Sequence, residues 1–145
     1  MGGDYLRRLY PAEALRSMAR ECDFLVVSVP LTPRTAGLID AAVFDAMKPS
    51  AYLIDISRGG VVNHVDLIAA LKDRRIAGAA LDVFPEEPLP ADSPLWKQPN
   101  VIVSPHISGN TPFYDERAVA LFVENLRRYL AGETLLNRFD PELGY

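Results

Sequence analysis

At 145 residues the chain has room for one domain with a buried core, and 49% apolar and 23% charged residues are a globular composition. A net charge of −4 with no Lys/Arg block argues against a nucleic-acid surface, and the single cysteine, Cys22, excludes an internal disulfide framework and fits a reducing compartment. No apolar stretch is long enough to span a bilayer and no basic-then-apolar signal pattern opens the chain, so a cytoplasmic protein with neither membrane nor nucleic-acid partners is expected.

In chain order, Pro11–Arg20 reads as a helix, with a proline suited to its first turn and Leu15 and Met18 three apart. Phe24–Val29 (FLVVSV) is an apolar run of strand length. Asp40 is placed to cap a helix over Ala41–Met47, and Ala51–Ile56 (AYLIDI) is a second strand. Asn63 is placed to cap Val65–Asp73, where Leu67, Ile68 and Leu71 share a face. Ile76–Val83 and Val101–Val103 are the third and fourth strands. Thr111 and Pro112 open a long helix over Phe113–Ala131, closed by Gly132; its Ala118, Leu121, Phe122, Asn125 and Leu126 read as a core-packing stripe. The strand runs are near-continuous rather than alternating, which predicts a sheet covered on both faces. Strands alternating with helices at this spacing predict an α/β fold with a parallel sheet, flanking helices and right-handed crossovers.

Open sheets of this kind bind ligands outside the carboxyl ends of their strands. There the sequence places Pro30–Thr35 after the first strand, Ser57-Arg58-Gly59-Gly60 after the second, Asp82 and Phe84–Pro88 after the third, and Ser104–Gly109 after the fourth. An arginine, carboxylates and a histidine therefore gather at one edge, the groups needed to hold an anionic substrate and move a proton. Singly, each has a plainer role open to it: Arg58 as a surface residue, His106 and Asp82 as loop caps, Asp55 as a paired core residue, Glu86 and Glu87 as solvated carboxylates. Their joint position favours a site. No metal site is read from the sequence.

The segments "VPLTPRTAGLI", "LIDISRGGVVN", "AALDVFPEEPLP", "LWKQPNVIVSPHISGNT" and "LLNRFDPELGY" resemble the D-isomer-specific 2-hydroxyacid dehydrogenases, in unbroken order from about Tyr10 to Tyr145. The resemblance implies an NAD- or NADP-dependent oxidoreductase that interconverts a 2-keto acid and a D-2-hydroxy acid on a doubly wound (Rossmann) domain. It implies that Arg58 grips the substrate, that His106 is the acid/base and that Glu87 pairs with His106. It places Asp82 at the nicotinamide end, with Val29, Pro30, Thr35, Ile56, Ser57, Arg58, His106 and Gly109 also lining the cofactor. The family's G-x-G-x-x-G loop, which holds the cofactor pyrophosphate, does not occur in these 145 residues, nor does the residue that selects NAD over NADP.

Residues 1–131 are accordingly expected to form a partial dinucleotide-binding domain, and 132–145 a tail that returns to a substrate domain. On this reading the chain is a fragment that does not turn over alone, and an open apolar strand edge, together with the long helix's stripe and the tail Leu135–Phe139, which the resemblance leaves without a partner surface, leads it to associate with itself as a homo-oligomer. The alternatives are a non-catalytic cofactor-sensing or protein-binding module, or an inactive truncated product.

Overall fold

The computed structural model describes residues 7–142 and Gly144. Met1–Leu6, Leu143 and Tyr145, at the ends of the expected domain and tail, lie outside the described residues. Two compact units divide after His106.

The first unit is a four-stranded parallel sheet in the order β1 (Phe24–Val27), β2 (Tyr52–Asp55), β3 (Gly78–Leu81), β4 (Val101–Val103). The strands stand where the apolar runs predict them but the first three are shorter: Ser28, Val29, Ile56, Asp82 and Val83 pass into the loops of the carboxyl edge, and Ala51, Ile76 and Ala77 precede their strands. Helices α1 (Leu15–Glu21), preceded by a 3-10 turn at Ala12–Ala14, α2 (Ala41–Ala46) and α3 (His64–Lys72) complete this unit. Both expected caps are formed. The Asp40 carboxylate accepts the Val43 N–H, and Asn63 Oδ1 accepts those of Val65 and Asp66, satisfying donors that a helix N-terminus leaves free.

Register explains the core. Leu25, Leu53, Ala79 and Val101 lie abreast across the sheet, as do Val27, Asp55, Leu81 and Val103. These rows pack with Ala19 of α1, Val43 and Phe44 of α2, and Leu67, Ala70 and Leu71 of α3. The opposite face corrects the expectation of a sheet covered on both sides. Phe24, Val26, Tyr52 and Ile102 are 44 to 72% exposed there, and Phe24 stacks on Tyr52 at 5.7 Å. All three helices serve one face. Apolar residues on both sides of a strand make a run look continuous whether or not a second layer covers it.

The second unit is built on α4 (Tyr114–Leu130). Gly132, at φ +70°, ends it as expected, with the Glu133 N–H returning to the Arg128 carbonyl. No residue of α4 is buried, and Leu121, Phe122 and Leu126 of its apolar stripe are exposed. Asn125 instead pairs with the chain beyond the helix, its amide accepting from the Leu136 N–H at 2.7 Å and donating to the Leu136 carbonyl at 3.2 Å.

Candidate active site

Three strand ends of the first unit bring Arg58, Glu87 and His106 together. After β2, Asp55 Oδ1 accepts both the N–H and the hydroxyl of Ser57, at 3.0 and 2.6 Å, and the chain turns outward at Arg58. Gly59 then passes so close to the loop after β3 that a Cβ built on it would stand 1.9 Å from the Phe84 carbonyl oxygen. Only glycine fits that approach. Gly60 follows at φ +99°, a conformation that side chains disfavour. The two glycines after Arg58 thus have separate geometric reasons.

The Glu87 carboxylate is held at both oxygens: Oε1 accepts the Phe84 N–H at 2.9 Å, and Oε2 lies 2.8 Å from His106 Nδ1. The bond to His106, then that from Phe84, holds the Glu87 carboxyl below the usual glutamate range. His106 itself has φ +55°, rare for a residue with a side chain and of the kind that gathers at functional sites. Its other ring nitrogen, Nε2, lies 3.5 Å from Arg58 Nη1, which also donates to the Ser57 carbonyl at 2.7 Å. A guanidinium, an imidazole and a carboxylate thus form one chain across the ends of β2, β4 and the loop after β3.

This chain lines a cleft of about 710 Å³. Of the residues expected around a cofactor, Val29, Pro30, Ile56, Ser57, Arg58 and His106 line it, and Glu87 joins them. Thr35 and Asp82 do not. Thr35 donates to the Pro30 carbonyl at 2.6 Å and accepts from the Thr32 N–H at 2.8 Å, shaping the loop after β1. Asp82 is buried and accepts the Ser104 hydroxyl, tying the end of β3 to that of β4. Gly109 belongs to the second unit. Ser28, Leu31, Phe84 and Pro85 also line the cleft. The sequence reading did not assign them roles, although each sits beside a residue that it did single out. Asp55, the possible core residue, is fully buried; burial, opposed by the two bonds from Ser57, pushes its carboxyl up. A second, mainly apolar hollow of about 520 Å³, bounded by Leu89, Trp96 and Pro105 among others, shares Phe84, Glu87 and His106 with the cleft.

A parallel sheet with its cleft at the carboxyl edge defines a Rossmann-like nucleotide-binding class. Comparison with known proteins narrows the class. Residues 5–108 match the family described as D-isomer specific 2-hydroxyacid dehydrogenase, NAD binding domain, and the chain belongs to that family. It is 45% identical over 129 residues to glyoxylate/hydroxypyruvate reductase B of Enterobacter agglomerans, covering 89% of this chain and 40% of the relative. It is 44% identical over 119 residues to (S)-sulfolactate dehydrogenase of Chromohalobacter salexigens, covering 82% and 38%.

Among solved structures, a D-isomer specific 2-hydroxyacid dehydrogenase from Xanthobacter autotrophicus, in complex with NADPH and MES, superposes with a TM-score of 0.86. Identity is 44%, covering 92% of this chain and 54% of that one. The NADPH-dependent glyoxylate/hydroxypyruvate reductase of Sinorhizobium meliloti, in complex with NADP and sulfate, gives a TM-score of 0.85 at 34% identity, covering 94% and 44%. The chain spans about 40% of the length of the curated relatives it matches.

Proposed function

We propose that this chain carries the substrate-gripping and proton-transferring part of an NAD(P)-dependent reduction of a 2-keto acid to a D-2-hydroxy acid. The observation that carries the reading is the Arg58–His106–Glu87 array in one cleft. Arg58 offers a fork of N–H donors to the substrate carboxylate and the neighbouring carbonyl oxygen. His106 Nε2 gives its proton to that oxygen as the carbonyl is reduced, so that no alkoxide accumulates. Glu87 fixes the imidazole through Nδ1 and is itself fixed by the Phe84 N–H, so that Nε2 keeps its place beside the guanidinium.

Val29, Leu31 and Ile56, 37 to 45% exposed where they line the cleft, offer an apolar bed for a flat ring. These residues fit the nicotinamide end of NAD or NADP, which when bound supplies the hydride that the carbonyl carbon takes. The names of the relatives, two of which were solved with NADPH or NADP, support the same reading.

The test is titration of the 145-residue chain with oxamate, an unreactive isostere of a small 2-keto acid, followed at the ring signals of His106 by NMR. Saturable shifts in the wild-type chain that vanish in Arg58→Ala are expected. No shift at millimolar oxamate would refute the substrate grip. Where turnover is assayed, His106→Ala is expected to depress kcat, and Arg58→Ala to raise KM for the keto acid as well.

A further inference from the structure

Asp55 is an expensive residue to place where it stands. It ends β2 inside the apolar core, 1% exposed, in the row that also holds Val27 and Leu81. Its Oδ2 has no hydrogen-bond partner among the described residues. A buried carboxylate that is only half satisfied destabilises a fold, and an apolar side chain in that row would pack with its neighbours at no such cost. What the carboxylate does accomplish is local. Oδ1 takes two hydrogen bonds from one residue, the Ser57 N–H and the Ser57 hydroxyl, and so closes a tight turn directly after the strand.

That turn governs Arg58. The Ser57 carbonyl, on the residue that Asp55 clamps, is the acceptor for Arg58 Nη1 at 2.7 Å, and the same Nη1 lies 3.5 Å from His106 Nε2. Downstream, the Val61 N–H returns to the Arg58 carbonyl at 3.2 Å, and Gly59 is confined by the Phe84 carbonyl. The backbone at 58 is thus held from both sides, and Asp55 supplies the hold on the strand side. Without it, the Ser57 peptide is free to rotate and the guanidinium loses its acceptor.

We infer that Asp55 is a positioning residue for Arg58: by clamping Ser57 through one carboxylate oxygen, it aims the guanidinium at the place where it meets His106 and a substrate carboxylate. The inference rests on the substrate-gripping reading of Arg58 only for its consequence in binding. The ordering of the side chain stands apart from that reading.

The decisive variants are Asp55→Leu, which keeps the branched shape, though with bulkier methyl groups, and removes the acceptor, and Asp55→Asn, which keeps Oδ1. In the 145-residue chain, 15N relaxation of the Arg58 Nε–H reports its order directly. Oxamate affinity, from the His106 signals, reports the consequence. In Asp55→Leu the Arg58 Nε–H is expected to become mobile and oxamate binding to weaken about 10-fold, the loss typical of one charged contact no longer held in place. Asp55→Asn is expected to restore both, which a merely structural role in the core would not predict.

Asp55→Leu that folds with Arg58 as ordered as in the wild type overturns the proposal. If that variant does not fold, Ser57→Ala removes the shorter of the two clamp bonds and should loosen Arg58 with about a 3-fold loss of affinity. A Ser57→Ala chain with order and affinity unchanged also overturns it. Order that depends on Asp55 in a wild-type chain that binds no oxamate would support the positioning role and refute the substrate grip alone.

Discussion

A methyl group added at Gly59 is the sharpest perturbation the fold offers. In Gly59→Ala the new Cβ would sit 1.9 Å from the Phe84 oxygen, 2.3 Å from its carbonyl carbon and 2.8 Å from the Pro85 nitrogen, all backbone atoms. A carbon–oxygen contact tolerates little less than about 3 Å, so the turn after β2 and the loop after β3 must part by roughly 1 Å. No flexible side chain can yield instead. The cost should reach the top of the range for overpacking, about 3 kcal/mol, which for a chain of this size lowers Tm by about 10 °C.

The displacement also falls on the site. Phe84 donates to Glu87 on one side of the contact, and Arg58 precedes Gly59 on the other. Scanning calorimetry measures the stability change, and the His106 ring signals measure the disturbance. Gly109→Ala is the matched control for stability: nothing lies within 4 Å of its built Cβ, and its backbone is not in the left-handed region. A Gly59→Ala chain that melts within about 2 °C of the wild type would refute the reasoning, because an overlap of this size cannot be absorbed at so little cost.

Other expectations follow from the same geometry. The depressed Glu87 carboxyl stabilises the fold above its ordinary value of 4.5, and that contribution is lost as pH falls through its lower folded value. The stability advantage of the wild type over Glu87→Gln should therefore shrink on acidification below about pH 4.5, and a difference independent of pH in melting curves would refute the pairing with His106. Asn63→Ala deletes the acceptor for the Val65 and Asp66 N–H groups and should cost about 1 kcal/mol in urea unfolding; an unchanged midpoint would show that the cap contributes nothing. The apolar sheet face carrying Phe24, Val26, Tyr52 and Ile102 should drive concentration-dependent self-association, with sedimentation over a dilution series as the measurement. A single monomeric species at every concentration would contradict it.

Much of this protein is local, and local features were legible. Asp40 and Asn63 cap the helices they precede because a short polar side chain can satisfy its own helix's first N–H groups wherever that helix packs. Gly132 ends α4 for an equally local reason, a left-handed residue after the last turn. The strands follow from apolar runs between turn residues, and the gathering of Arg58, Glu87 and His106 at one edge follows from the rule that a parallel sheet sends every strand the same way. The family motifs name the same three residues.

What only the tertiary structure decided is everything that depends on a neighbour distant in sequence. A continuous apolar run does not reveal whether a second layer of helices covers it, and within the first unit α1, α2 and α3 pack on one face while Phe24, Val26, Tyr52 and Ile102 on the other are exposed. The stripe on α4 has the helical period of a core-facing helix, yet the side chain that finds a specific partner is the polar Asn125. Asp82 shares the sheet edge with the cleft but accepts the Ser104 hydroxyl from the end of the next strand, whereas Thr35 bonds within its own loop. Gly59 could be any turn glycine until the Phe84 carbonyl is seen against it. Asp55 could be any buried acid until its two bonds to Ser57 are followed to Arg58 and His106. Residue types and spacing set which groups reach the edge; distances of a few ångströms across strands, set by packing, decide which of them act on one another.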